Sequence, residues 1–144
     1  MVNDMKAAVV YWSATGNTEA MANAVADGAR AAGAEVSLYT SAEFTADMTA
    51  DFDAIALGCP SMGVEELEDT EFRPLFDEMK AALADKRVAL FGSYGWGDGE
   101  WMRTWQEECE AAGIRLAADG VIANEAPDDE AIEKCNALGG ALVA

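Results

Sequence analysis

Apolar and polar positions along the chain follow two alternating rhythms. From Lys6 to Trp12 the residues run apolar without alternation, which predicts a strand buried on both faces. From about Asn17 to Ala32 the period lengthens. Met21, Val25, Ala29 and Ala32 fall along one helical face, and Gly33 supplies a C-terminal stop. Ala34 to Tyr39 reads as a second strand, followed by an irregular stretch rich in Thr and Asp. Asp53 to Cys59 reads as a third strand, closed by Pro60. Phe72, Leu75, Phe76, Met79 and Leu83 recur at helical spacing, and Pro74 places the start of that helix close by. Arg87 to Gly92 predicts a fourth strand. Trp101, Trp105, Cys109 and Ala112 share a helix ended by Gly113, and the segment Arg115 to Ala123 holds a fifth strand. A last helix starts near Pro127, with Asp128, Asp129 and Glu130 in its first turn and Ile132, Cys135 and Leu142 packed inward.

Five strands alternating with helices, with no linker, repeat or low-complexity tract between them, predict one α/β domain over residues 1–144. Its parallel sheet is expected to be covered on both faces. In such folds ligands bind beyond the carboxyl ends of the strands, where the strand order reverses. The loops after strands one, three, four and five are therefore the candidate sites.

Composition narrows the chemistry. Apolar residues make up 51% of 144 positions, enough to bury a core despite the charge. Nine Lys and Arg against 27 Asp and Glu leave a formal charge of −18. Such a surface repels nucleic acid and anionic membranes and favours partners with basic docking surfaces. The longest apolar run, Ala7 to Trp12, is far short of a membrane span, and the N-terminus lacks the layout of a signal peptide, so a cytoplasmic location is expected. Three widely spaced cysteines (Cys59, Cys109, Cys135) form neither a disulfide framework nor an iron–sulfur pattern. The chain has no histidine, which excludes Ser-His and Cys-His catalysis and histidine-held metals.

Two loops carry the strongest chemical signal. Ser13-Ala-Thr-Gly-Asn-Thr18 follows the first strand and runs into a helix. Hydroxyls at 13, 15 and 18, a flexible Gly16 and fresh helix amides suit a phosphate, although an ordinary turn with a Ser or Thr cap has the same composition. It is neither a Walker A loop nor a dinucleotide fingerprint. After the fourth strand, Ser93-Tyr-Gly-Trp-Gly-Asp-Gly99 sets a tryptophan between glycines beside a tyrosine, an arrangement suited to stacking a flat ring. Together the loops suggest a nucleotide with a planar head. The remaining candidates point to structure. Cys59 reads as a buried strand end, Trp101 and Trp105 as packing, and Arg103 as solvent-facing.

The motifs Ser13-x-Thr15-Gly16-Asn17-Thr18, Met62-Gly63-x-Glu65 and Gly92-Ser93-Tyr94-Gly95-Trp96-Gly97 occur in this order over essentially the whole chain. Together they resemble short-chain flavodoxins. The resemblance implies a doubly wound three-layer sandwich, strand order 2-1-3-4-5, holding non-covalent FMN. It implies that Ser13, Thr15, Gly16, Asn17 and Thr18 hold the phosphate. The loops Pro60-Ser61-Met62-Gly63-Val64-Glu65 and Ser93 to Gly97 would embrace the ring, with Met62 and Trp96 on its two faces, Glu65 accepting from ring N3, and Asn124 touching the ribityl chain. The Gly63 carbonyl would turn toward ring N5 on the first reduction. Val64 follows it, where related turns often carry Asp, Asn or Gly; a β-branched residue resists positive φ there, and strain of about 1 kcal/mol is expected in the oxidised turn. The function implied is a monomeric, low-potential one-electron carrier shuttling between semiquinone and hydroquinone. An FMN-dependent NAD(P)H:quinone reductase or nitroreductase and a non-redox FMN-binding regulatory module remain the alternatives.

Overall fold

A computed structural model describes residues 5–63, 65–95 and 97–144. Five strands form one parallel sheet: β1 (Lys6–Tyr11), β2 (Glu35–Thr40), β3 (Ala54–Gly58), β4 (Arg87–Tyr94) and β5 (Val121–Asn124). Their order is β2-β1-β3-β4-β5, so the chain steps outward from β1 to β2 and then returns past β1 to β3. The order reverses between β1 and β3, at whose carboxyl ends Trp12 N–H still reaches the Gly58 carbonyl at 3.0 Å.

The unbroken apolar run of β1 has a direct cause. Ala7, Val9 and Tyr11 belong to the core shared with α1 (Asn17–Ala31) and α4 (Asp129–Leu142). Ala8 and Val10 belong to the core shared with α2 (Phe72–Leu83) and α3 (Glu100–Ala111). Both faces are covered, so neither tolerates polar residues. α1 and α4 approach until backbones touch. A β-carbon on Gly28 would lie 2.0 Å from the Asn136 carbonyl oxygen, and one on Gly139 would lie 2.0 Å from that of Val25.

Most predicted elements are present, α2 begins beside Pro74 as expected, and three features differ for physical reasons. The Thr- and Asp-rich stretch contains a 3-10 helix (Ala46–Asp51), held by the packed rings of Tyr39, Phe44 and Phe52. α2 starts at Phe72, which puts Pro74 within its first turn, where no intrahelical amide is missed. β4 continues through Ser93 and Tyr94, because β5 offers Ala123 and Asn124 as partners. The fifth strand is split. Leu116 makes a lone parallel bridge to Val88, the chain then leaves the edge, and pairing resumes at Val121 after the Gln106 side chain captures the Gly120 N–H. Asn124 therefore ends β5 rather than following it.

Candidate functional site

The loop after β1 turns into α1 through Gly16, whose φ of 94° makes it the helix cap. The ordinary Ser/Thr cap is therefore not what forms. Ser13 instead turns inward, its Oγ accepting from the amides of Gly16 (3.1 Å) and Glu19 (3.4 Å). Thr15 Oγ1 lies 3.5 Å from the Asn17 amide. Thr18 is fully buried, and its hydroxyl lies 3.2 Å from that of Ser93, whose own N–H points at it from 3.4 Å. The pair joins the first loop to the end of β4. Among the described residues nothing lies within 4 Å of where a Gly16 side chain would stand, so the turn is open there. It borders a cleft of about 380 Å3 with Trp12, Ser41 and Glu71 on its walls. No lysine or arginine belongs to the loop or to the walls of this cleft.

The loop after β3 is pinned at its start by Ser61 N–H donating to the Ser93 carbonyl at 3.0 Å. Met62 and Glu66 then pair antiparallel through two hydrogen bonds of 2.7 and 2.8 Å, leaving positions 63–65 as a three-residue tip. Gly63 has φ 54°, and its side-chain position is open, so glycine is needed there for conformation rather than for space. Val64 and Trp96 lie outside the described residues, as does the expectation placed on each. Glu65 carries a positive φ of 50°. Its carboxylate accepts the first amide of α3, Glu100 N–H, at 3.1 Å and rests against Gly97, where a β-carbon would lie 2.5 Å from the carboxyl carbon. The second and third loops thus interlock through one acidic side chain.

The loop after β4 places its groups as follows. The Tyr94 ring is half-buried and packs on Trp101 at 5.5 Å, so its backbone rather than its ring faces the loop region. The Asn124 amide donates to the Tyr94 carbonyl at 3.3 Å, which seats it at the edge of the same loop. Trp101 donates its indole N–H to the Cys59 carbonyl (3.2 Å), and Trp105 stands edge-on to Phe72 and Phe76. Both are packing residues. Arg103 pairs with Asp98 at 3.0 Å on the surface.

Electrostatics around these loops are negative. Carboxylate oxygens of Glu65, Asp98 and Glu100 lie within 4.8 Å of one another. Tyr11 donates to Glu19 at 3.1 Å; burial, that bond and the charges of Glu19 and Glu43 all push its phenol above the usual value. Burial raises the Cys59, Cys109 and Cys135 thiols to about 12, which leaves all three inert. One residue escaped the sequence reading. Glu68 looks like a member of a solvated acidic run, yet it is only 5% exposed. Burial alone would raise its pKa, but the Thr70 hydroxyl and the amides of Phe72, Glu71 and Thr70 hold it below the ordinary range. The signal for this was Thr70, two residues on, and the helix starting at Phe72.

A reversing parallel sheet, an uncharged cradle at a helix start and a glycine-rich loop on the same edge define a nucleotide-binding α/β protein. Comparison with known proteins identifies it further. The flavodoxin family model matches residues 9–139. The flavodoxin of Megasphaera elsdenii is 46% identical over 133 residues, 92% of this chain and 95% of that one. The flavodoxin of Clostridium beijerinckii is 41% identical over 131 residues, covering 91% and 94%. The solution structure of two-electron reduced Megasphaera elsdenii flavodoxin superposes with a TM-score of 0.88 over 95% of this chain and 98% of that one, at 45% identity. The chain belongs to the flavodoxin family. It is an FMN-binding electron-transfer protein and not an enzyme. The residues present fit that cofactor: a loop of neutral hydroxyls and amides without cations leads into α1 and opens at Gly16, and the Met62–Glu66 pair is tied to the start of α3 through the Glu65 carboxylate.

Proposed function

We propose that the protein is a low-potential one-electron carrier, working as a monomer in the cytoplasm between redox partners with basic docking surfaces. The whole chain acts as a single flavin-binding unit, cycling FMN between semiquinone and hydroquinone. The observation that carries the reading is the uncharged cradle in an acidic molecule. Ser13, Thr15, Gly16, Asn17 and Thr18 supply only hydroxyls, amides and the dipole of α1, so nothing cancels the phosphate charge. In the loops after β3 and β4, Glu65, Asp98 and Glu100 concentrate negative charge. Bound FMN supplies the redox chemistry; the surrounding field makes each added negative charge costly, which lowers the potential of the second electron.

The other residues orient and enclose. Pro60, Ser61, Met62, Gly63, Val64 and Glu65 form one wall of the ring pocket, and Ser93, Tyr94, Gly95, Trp96 and Gly97 the other. Met62 and Trp96 cover the ring faces and exclude water. The Glu65 carboxylate would accept a hydrogen bond from ring N3–H, the Gly63 peptide would turn its carbonyl toward ring N5–H, and Asn124 would contact the ribityl chain. Stepwise anaerobic reduction with dithionite tests the reading. A long-wavelength blue species is expected to accumulate near half-reduction, with no oxidation of NAD(P)H when a reductase is absent. Direct conversion to the fully reduced form, or turnover of NAD(P)H alone, would instead place the protein among the flavin reductases.

A further inference from the structure

The loop that carries Met62 to Glu65 is fastened at its base by two groups with no assigned role. At its start, Cys59 is locked by its backbone: its N–H donates to the Phe91 carbonyl (3.1 Å), and its carbonyl accepts the Trp101 indole. Its Sγ accepts the Glu68 N–H at 3.4 Å, so the two ends of the loop are tied across eight intervening residues. At the far end the Glu68 carboxylate is saturated. Oε1 accepts the amides of Glu71 (2.8 Å) and Phe72 (2.9 Å); Oε2 accepts the Thr70 amide (2.8 Å) and the Thr70 hydroxyl. Its backbone carbonyl takes the Arg73 amide at 2.9 Å. No ion pair to Glu68 is formed among the described residues.

Burying a carboxylate without a cation is costly, and one polar cap bond would start a helix at lower expense. The arrangement gains rigidity instead. Glu71, at the cap position of α2, makes no side-chain capping bond, so the helix start is fixed from within the loop. The base cannot shift without breaking several charge-assisted bonds together. The clamp thereby steadies the base on which the doubly hydrogen-bonded Met62–Glu66 pair stands.

We propose that Glu68 is a positioning residue for the flavin: with the Cys59 thiol and Thr70 it clamps the loop base so that only the Gly63–Glu65 tip responds to reduction. The inference rests on the reading that this tip meets the flavin ring. A two-position element of three residues on a rigid base holds each orientation sharply; on a loose base the orientations blur, and the one-electron state loses its advantage.

The test compares three variants of the FMN-bound protein. Glu68→Gln removes the charge and weakens the clamp. Thr70→Val removes one donor and keeps the net charge. Asp69→Asn removes a neighbouring charge that is exposed and outside the clamp. Amide exchange at Glu66 is read with and without FMN, and the fraction of flavin held one-electron-reduced is read at half-reduction. In Glu68→Gln, exchange is expected to accelerate about tenfold and FMN binding to weaken by a similar factor. The one-electron-reduced fraction should fall, with a smaller change of the same sign in Thr70→Val and none in Asp69→Asn. Exchange without FMN reports the clamp alone, which separates a failed clamp from a failed flavin reading. Equal effects of Asp69→Asn and Glu68→Gln would reduce the effect to charge. An unchanged one-electron-reduced fraction in both Glu68→Gln and Thr70→Val would leave Glu68 a helix cap only. Either result overturns the proposal.

Discussion

On the proposed reading, single residues in the tip set how readily the first electron enters. Gly63 already sits at positive φ, and Glu65, a residue with a side chain, does so as well. Such a conformation costs a non-glycine residue about 1 kcal/mol or more, and it persists only where surrounding bonds enforce it. For Glu65 the enforcing bonds are visible: the Glu100 amide and the Met62–Glu66 pair. Val64 stands between them in sequence. On that reading, a β-branched residue at this position would oppose a turn in which the Gly63 carbonyl points away from the ring, and reduction would relieve that strain. Relief of about 1 kcal/mol raises the oxidised/semiquinone potential by up to about 40 mV. Potentiometry on Val64→Gly and Val64→Asn is expected to show that potential falling in both. If it stays put in each, valine stores no strain.

Among the secondary-structure elements, the sharpest constraint is where α1 meets α4. A helix interior normally avoids glycine, yet Gly28 and Gly139 each stand where the neighbouring backbone leaves no room for a methyl group. In Gly28→Ala the new β-carbon meets a carbonyl oxygen, a group that cannot rotate aside. Overpacking of this kind costs about 1–3 kcal/mol, and the melting temperature should fall by roughly 3–10 °C. The visible spectrum of the folded, FMN-bound variant should stay unchanged, because the contact is remote from the loops. A variant as stable as the parent would show that the helices separate freely. Sequence periodicity found both helices without revealing this contact, since it records which face is buried and not how closely. The same limit explains the 3-10 helix at 46–51. Its support comes from the rings of Tyr39, Phe44 and Phe52, which flank it and meet only once the chain has folded, and no local period announces it. Strand ends were blurred for a related reason. Ser93 and Tyr94 look like loop residues by type and become strand only because Ala123 and Asn124 pair with them. The turn from Ser13 into α1 was legible because it depends on local spacing. Glu68 was not, because burial depends on how the loop folds back over Cys59.

At the scale of the whole molecule, a charge of −18 and a cradle without cations make opposite predictions for the two things the protein binds. If the cradle holds the phosphate as proposed, FMN arrives as a dianion and meets only neutral donors, so the surrounding carboxylates repel it and no nearby ammonium compensates. Salt screens that repulsion. The Debye length shrinks from about 30 Å at 0.01 M to about 8 Å at 0.15 M, less than the span of the domain. FMN affinity of the flavin-free protein should therefore rise several-fold over this range of KCl, as read by quenching of flavin fluorescence in a buffer free of phosphate, which would compete for the cradle. Riboflavin, lacking the phosphate, should show little dependence. Docking to a basic redox partner has the reverse sign, because screening there removes an attraction, and electron-transfer rates should fall as salt rises. The pair of slopes is diagnostic. A cradle that used a lysine or arginine would lose FMN affinity on adding salt, so a falling FMN affinity would mean that a cation reaches the phosphate and that the low potential needs another origin.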